Sequence, residues 1–327
     1  MLEQFGLIGN IAILAASLAV LMKASSLAIN NSVKLAAVTG LGKSKVGFIL
    51  VAFATSLPEL FVAAFAALDP QTIGLSVGNV LGSNIVNICL VLGVGFLILA
   101  FKYPESAGFF TKMAKDEVGN LNFGLFVASI VPLVLLYFRL ANQIVGAILI
   151  VLFAYNMYLI VRQKRIVEEI SEDVQKSDFG RYLLKSVVGI AGVVVSAYLI
   201  VESGSFLALS VGIPSVIVGA TVVAFGTSVP ELATGIESFR KGFVDLAIGN
   251  VVGSCFINIT LILGLTLLLS PLDLAISAFS NLIMFSLISN LILWYFLQNT
   301  KISKREGAIL LVCYFLFLAI TFGNVSP

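Results

Sequence analysis

Ala52-Phe-Ala-Thr-Ser-Leu-Pro-Glu59 and Ala224-Phe-Gly-Thr-Ser-Val-Pro-Glu231 are near-copies of one another. Each is followed by a second shared word, Gly78-Asn-Val-Leu-Gly-Ser-Asn-Ile-Val-Asn87 and Gly249-Asn-Val-Val-Gly-Ser-Cys-Phe-Ile-Asn258. Each copy sets one glutamate and several side-chain oxygens inside an apolar run long enough to cross a bilayer. A carboxylate at that depth is costly without a partner, and no basic residue within the runs is placed to serve Glu59 or Glu231. A cation is the simplest partner.

The surrounding chain is built for lipid. Hydrophobic residues make up 59% of its 327 residues, charged residues 11%, and the mean hydropathy is +1.10. An ordinary globular chain carries about a quarter charged residues. The apolar runs are continuous and do not alternate in and out, which selects helices over a β-barrel. They predict spans near 6–27, 46–67, 74–99, 121–140, 143–161, 183–202, 215–237, 244–269, 274–297 and 307–323. The fold class expected is therefore an all-α integral membrane protein of ten transmembrane helices. The N-terminus lacks the basic region and cleavage site of a secretory signal, so Leu7 to Leu21 reads as the start of a retained helix.

The polar stretch 162–181, rich in both signs of charge, divides a first five-helix repeat (1–161) from a second (182–327) within one membrane domain. One set of loops holds Lys34, Lys43, Lys45, Lys102, Lys112, Lys115, Arg162, Lys164, Arg165, Lys176, Arg181, Lys185, Arg240, Lys241, Lys301, Lys304 and Arg305. The opposite set holds only Arg139, and Lys23 lies near the inner end of the first span, where it snorkels to the interface. The positive-inside rule then makes the first set, with the 162–181 linker, cytoplasmic and puts both termini outside a cell (plasma) membrane. Five spans per half invert the second copy relative to the first. Inverted repeats place a substrate site near the midplane and support alternating access.

Proline withholds an N–H and crowds the carbonyl four residues earlier, so Pro58 and Pro230 free carbonyls in the middle of their spans. Such breaks survive in a bilayer only where protein or a wet cavity covers them. Ala52 and Ala224 are candidates to supply main-chain oxygen. Thr55 and Glu59 are four residues apart, as are Ser83 and Asn87, and Ser254 and Asn258, so each pair shares a helix face. Gly78, Gly82, Gly249 and Gly253 have small-xxx-small spacing, which allows close helix approach and brings Asn87 toward Glu59 and Asn258 toward Glu231. All ligands in reach are hard oxygens. Histidine is absent, and Cys89, Cys255 and Cys313 have neither metal-type nor disulfide-type spacing. Hard oxygens select Ca²⁺ or Na⁺, and two carboxylates balance one Ca²⁺. Once that ion leaves, the carboxylates repel until Na⁺ or protons replace it, so exchange follows from competition.

These paired words resemble the two α-repeats of the calcium/cation antiporter superfamily, most closely its sodium/calcium exchanger branch. The resemblance implies four central ion sites in a diamond. Glu59 and Glu231 would be principal ligands, with Asn87 and Asn258 beside them, the hydroxyls of Thr55, Ser56, Thr227, Ser228, Ser83 and Ser254, and the carbonyls of Ala52 and Ala224. It also implies gating by the first and sixth spans sliding across the rest. Asn258 stands where several members carry aspartate, which argues against potassium co-transport. Neither Gly78–Asn87 nor Gly249–Asn258 holds the glutamate usual in the proton-coupled branch, which favours sodium.

The reading is a Ca²⁺/Na⁺ antiporter and not an enzyme, with Ca²⁺, Na⁺ and the lipid bilayer as partners. No organic cofactor, nucleic acid or obligatory protein partner is expected. The alternative is H⁺-coupled Ca²⁺ antiport. An intramembrane hydrolase fits less well, because its two carboxylates need different surroundings. A passive channel fits less well too, because channels gather ligands around an axis from several subunits.

Overall fold

Apolar runs of this length form helices in lipid because the backbone has to satisfy its own hydrogen bonds there. A computed structural model describes residues 2–38, 53, 55–102, 142–162, 178–242, 244–270, 276–298 and 303–323, with scattered positions between 123 and 137. Among these the regular structure is helical throughout. The elements are α1 (Gly6–Val38), α2 (Leu57–Ala67), α3 (Ile73–Lys102), α4 (Gln143–Arg162), α5 (Phe179–Val211), α6 (Ser215–Thr227) and α7 (Val229–Lys241). They continue with α8 (Val244–Ile257, running on through Asn258–Ile262 and Leu263–Leu269), α9 (Ile276–Gln298) and α10 (Lys304–Gly323).

Among the described residues six helices are long and apolar enough to span, and α6 with α7, bent by 46°, makes a seventh; α2 and α4 are shorter apolar helices. The first part of the span expected at 46–67, most of that at 121–140 and most of the 162–181 linker lie outside the described residues.

Two boundaries differ from the hydropathy reading. α1 and α5 each run for 33 residues, past the expected ends at 27 and 202. Such a helix is about 50 Å long, more than the apolar layer of about 30 Å. The extension of α1 holds together because its polar side chains turn back onto the helix: the Asn31 amide donates to the Leu27 carbonyl at 2.7 Å, and Asn30 to Ser26 Oγ at 3.3 Å. Lys23 is consequently mid-helix rather than near an end. It is exposed on a cavity of about 360 Å³ between α1 and α7, which Ser26, Asn30, Pro230 and Thr234 also line.

α1 and α5 lie along each other as an outer pair. Gly189 sits against the backbone of Ala24 and Ala28, and Gly192 against the Ala24 side chain, so small residues let the two axes approach. The pair meets α2 and α3 through its own apolar seam, including Leu14, Leu21, Val62, Leu75, Val193 and Ile200. α3 and α8 are central, surrounded by the larger cluster that takes in Ile88, Phe96, Phe239, Ile259 and Phe317. The glycine stripe of α3 works as its spacing predicts. A Cβ on Gly78 would strike the Val216 carbonyl, and one on Gly82 the Ala220 backbone, so α3 and α6 touch backbone to backbone. Large apolar side chains such as Ile144, Val151 and Phe315 face outward, as lipid contact requires.

Candidate cation site

Two helix breaks of the same shape build the centre. Ser56 and Ser228 each leave helical geometry, at φ −87°, ψ 6° and φ −83°, ψ 5°, and each is followed by a proline in the first turn of the next helix. That backbone is the bridge region, sparsely used and common at functional sites. The chain resumes α2 and α7 at once, with the N–H of Leu60 on the Ser56 carbonyl at 3.1 Å and that of Leu232 on the Ser228 carbonyl at 3.0 Å. Glu59 and Glu231 therefore fall in the first turn of their helices, where the macrodipole favours an acid. The preceding half-helix α6 points its negative end at the same place.

A second pair of features matches. α3 widens into a π-turn over Val86–Val91 and α8 over Asn258–Ile262, so Asn87 and Asn258 both sit where the helix is locally loosened. Such turns are frequent at functional sites. α6 carries a third over Gly219–Val223, just before its break.

The structure gathers the residues singled out by sequence. Thr55, Ser56, Glu59, Ser83, Asn87, Ala224, Thr227, Ser228, Glu231, Ser254 and Asn258 are all at most 2% exposed. Ala52 lies outside the described residues. Contacts cross from one copy to the other. Ser228 donates to Glu59 Oε1 at 3.3 Å, Ser56 donates to Ser254 Oγ at 3.4 Å, and the Ser83 and Thr227 hydroxyls lie 3.4 Å apart. Ser228, the donor to Glu59, stands three residues before Glu231, so the two acid-bearing turns meet. The Asn258 amide donates to Asn84 Oδ1 at 3.1 Å. The Ala224 carbonyl, offered by sequence as a ligand, already accepts from the Ser228 N–H at 3.1 Å and the Thr227 hydroxyl at 3.3 Å.

Two residues escaped the sequence reading. Asn79 accepts from the Thr227 hydroxyl at 3.1 Å and reaches the Glu59 carbonyl at 3.5 Å, tying the second break to the first. Its signal is present in the duplicated Gly-Asn word, with Asn250 as its counterpart. Asn84, the other, stands where the second copy has Cys255.

Much of this polar chemistry is left open. Glu59 Oε2, both oxygens of Glu231, both amide atoms of Asn87, Asn258 Oδ1 and Asn84 Nδ2 are buried without a hydrogen-bond partner. Buried polar atoms are nearly always satisfied, so such a concentration around two carboxylates calls for a ligand. Among the described residues no three His, Cys, Asp or Glu side chains come together, so any cation held here draws on neutral oxygens as well as the two acids.

Known proteins resemble the chain over nearly its whole length. The family model of the sodium/calcium exchanger protein matches residues 9–162 and 182–323. The sodium/calcium exchanger MaX1 of Methanosarcina acetivorans is 31% identical, with 96% of this chain and 98% of that protein covered. The sodium-calcium exchanger NCX_Mj, solved after soaking with Na⁺ and Sr²⁺, superposes with a TM-score of 0.66 at 26% identity, over 96% of this chain and 99% of that one. The H⁺/Ca²⁺ exchanger CAX shares the fold, with a TM-score of 0.75 at 17% identity over 95% and 85% of the two chains.

Proposed function

The chain belongs to the sodium/calcium exchanger family, a family of membrane transporters and not of enzymes, and from that premise we propose that it exchanges Ca²⁺ for Na⁺ by alternating access. The observation that carries the reading is the pair of buried carboxylates, one from each duplicated break, ringed by unpartnered oxygens. Glu59 and Glu231 neutralise one Ca²⁺, and the hydroxyls of Thr55, Ser56, Ser83, Thr227, Ser228 and Ser254 with the amide oxygens of Asn87 and Asn258 complete its shell. The carbonyl of Ala52 joins them, and that of Ala224 does so once it gives up one of its two donors. When Ca²⁺ departs, the two acids repel, and Na⁺ ions entering among the same oxygens restore neutrality before the protein reorients.

The membrane arrangement belongs to the same proposal. Ten spans form two inverted five-helix repeats, 1–161 and 182–327, joined by a cytoplasmic linker at 162–181, with both termini outside the cell membrane. The outer α1–α5 pair, which meets the rest through a separate apolar seam, is the element that slides. Sodium is preferred to protons because neither Gly78–Asn87 nor Gly249–Asn258 carries a further acid that would titrate.

The test is uptake of labelled Ca²⁺ into proteoliposomes under an imposed Na⁺ gradient at constant pH, and under a pH gradient without Na⁺. The Na⁺ gradient alone is expected to drive uptake. Uptake driven only by the pH gradient would replace sodium by protons as the counter-ion, and flux at channel rates would remove the antiport itself.

A further inference from the structure

Away from the carboxylates, three helices bring two thiols onto one hydroxyl. Cys89 on α3 donates to Ser289 Oγ on α9 at 3.0 Å, and Cys313 on α10 lies 3.9 Å from the same oxygen. Ser289 gives its own proton to the Phe285 carbonyl at 2.6 Å, which leaves its lone pairs to receive the two S–H groups. Neither thiol is needed for the cation site, and both are free. Cys89 is fully enclosed, whereas Cys313 keeps 8% exposure on a helix whose Val312, Phe315 and Leu316 face lipid.

We propose that Cys89 and Cys313 form a redox-modifiable dithiol that a lipid-soluble two-electron oxidant of the quinone class closes to a disulfide. The Cys313 sulfur, the less enclosed of the two, bonds to the quinone. The Cys89 sulfur then attacks it, the S–S bond forms as the sulfur–quinone bond breaks, and the quinone leaves as hydroquinone with both electrons and both thiol protons. A disulfide holds its two Cβ atoms at about 3.8 Å, so closing it pulls on α3 and α10 and locks them together. Cys89 lies in the Val86–Val91 π-turn that also holds Asn87, so the pull falls on the turn that carries a site residue. The bond therefore slows exchange, a consequence that rests on the function proposed above.

The experiment treats the full chain in proteoliposomes with a fully ring-substituted benzoquinone and reads two things. Intact mass and non-reducing peptide mapping are expected to report the loss of two hydrogens and a Cys89–Cys313 link. Na⁺-driven Ca²⁺ uptake is expected to fall by most of its reduced value and to return with a phosphine reductant. Cys89→Ala and Cys313→Ala, each compared with its own reduced rate, should be insensitive, while Cys255→Ala should respond as the unmodified chain does. Absence of the link, or loss of uptake in the Cys89→Ala protein, overturns the proposal; a link that leaves uptake unchanged overturns its control of exchange. Mapping decides the link even if no Na⁺-driven uptake is found, which would count against the transport reading instead.

Discussion

The two halves of the site share a backbone but not their hydrogen bonds. Asn87 and Asn258 occupy matching places in matching π-turns, yet Asn258 donates to Asn84 while neither amide atom of Asn87 is bonded. The residue that corresponds to Asn84 in the second copy is Cys255, whose thiol is a weak acceptor. The carboxylates differ in the same manner, with Ser228 holding one oxygen of Glu59 and neither oxygen of Glu231 hydrogen-bonded. Duplication thus supplies the frame, and one or two substitutions decide which polar side chain is held by a neighbour and which is left unbonded. The protein is accordingly expected to present non-equivalent subsites rather than a symmetric pair.

The sharpest way to break this picture is to remove charge. Glu59→Gln or Glu231→Gln leaves the other acid to face a cation alone, and losing one partner of a buried charge pair costs about 3 kcal/mol or more, hence about 100-fold in Ca²⁺ uptake. Wild-type uptake from either variant would mean that the carboxylates are not the ion's counter-charges. Adding charge comes next. Asn258→Asp removes the donor to Asn84 and supplies a third acid, and is expected to tighten divalent binding by about tenfold, about 1.4 kcal/mol, with a changed Na⁺-to-Ca²⁺ ratio. Calorimetry and flux ratios in vesicles check both.

Asn79→Ala tests the tie between the breaks. The Thr227 hydroxyl loses its side-chain acceptor at a cost of about 1 kcal/mol, so apparent Ca²⁺ affinity should fall about fivefold, and Asn79→Asp, which keeps an acceptor, should recover most of it. The smallest effect belongs to Cys255→Asn, which makes the two copies alike by giving Asn87 a partner. A change of less than about fivefold in Ca²⁺ affinity is expected, of the order of one neutral hydrogen bond. Cys255→Ala offers no such partner and should retain most uptake. Equal affinities for the Asn and Ala variants would mean that Asn87 is restrained by something other than this position.

What could be read in advance divides along physical lines. The broken helices and the buried acids were legible because Thr-Ser-x-Pro-Glu writes a proline and a carboxylate twice into apolar runs, and lipid allows few explanations for either. The approach of α3 to α6 followed from Gly78 and Gly82. The bonds made by Asn79 and Asn84 were not legible, because spacing along one helix does not say which side chain of another helix it meets. The true length of α1 escaped for a different reason: hydropathy reads contact with lipid, whereas Ser26, Asn30 and Asn31 continue a helix by bonding within it.

The π-turns in α3 and α8 have a consequence for motion. A π-turn accommodates one residue more than an α-turn over the same stretch, and relaxing it to α-geometry releases that residue as about 1.5 Å of travel and about 100° of swivel further along the rod. Both central helices thus store slack next to their asparagines, enough to swing an amide into or out of an ion's reach without a hinge.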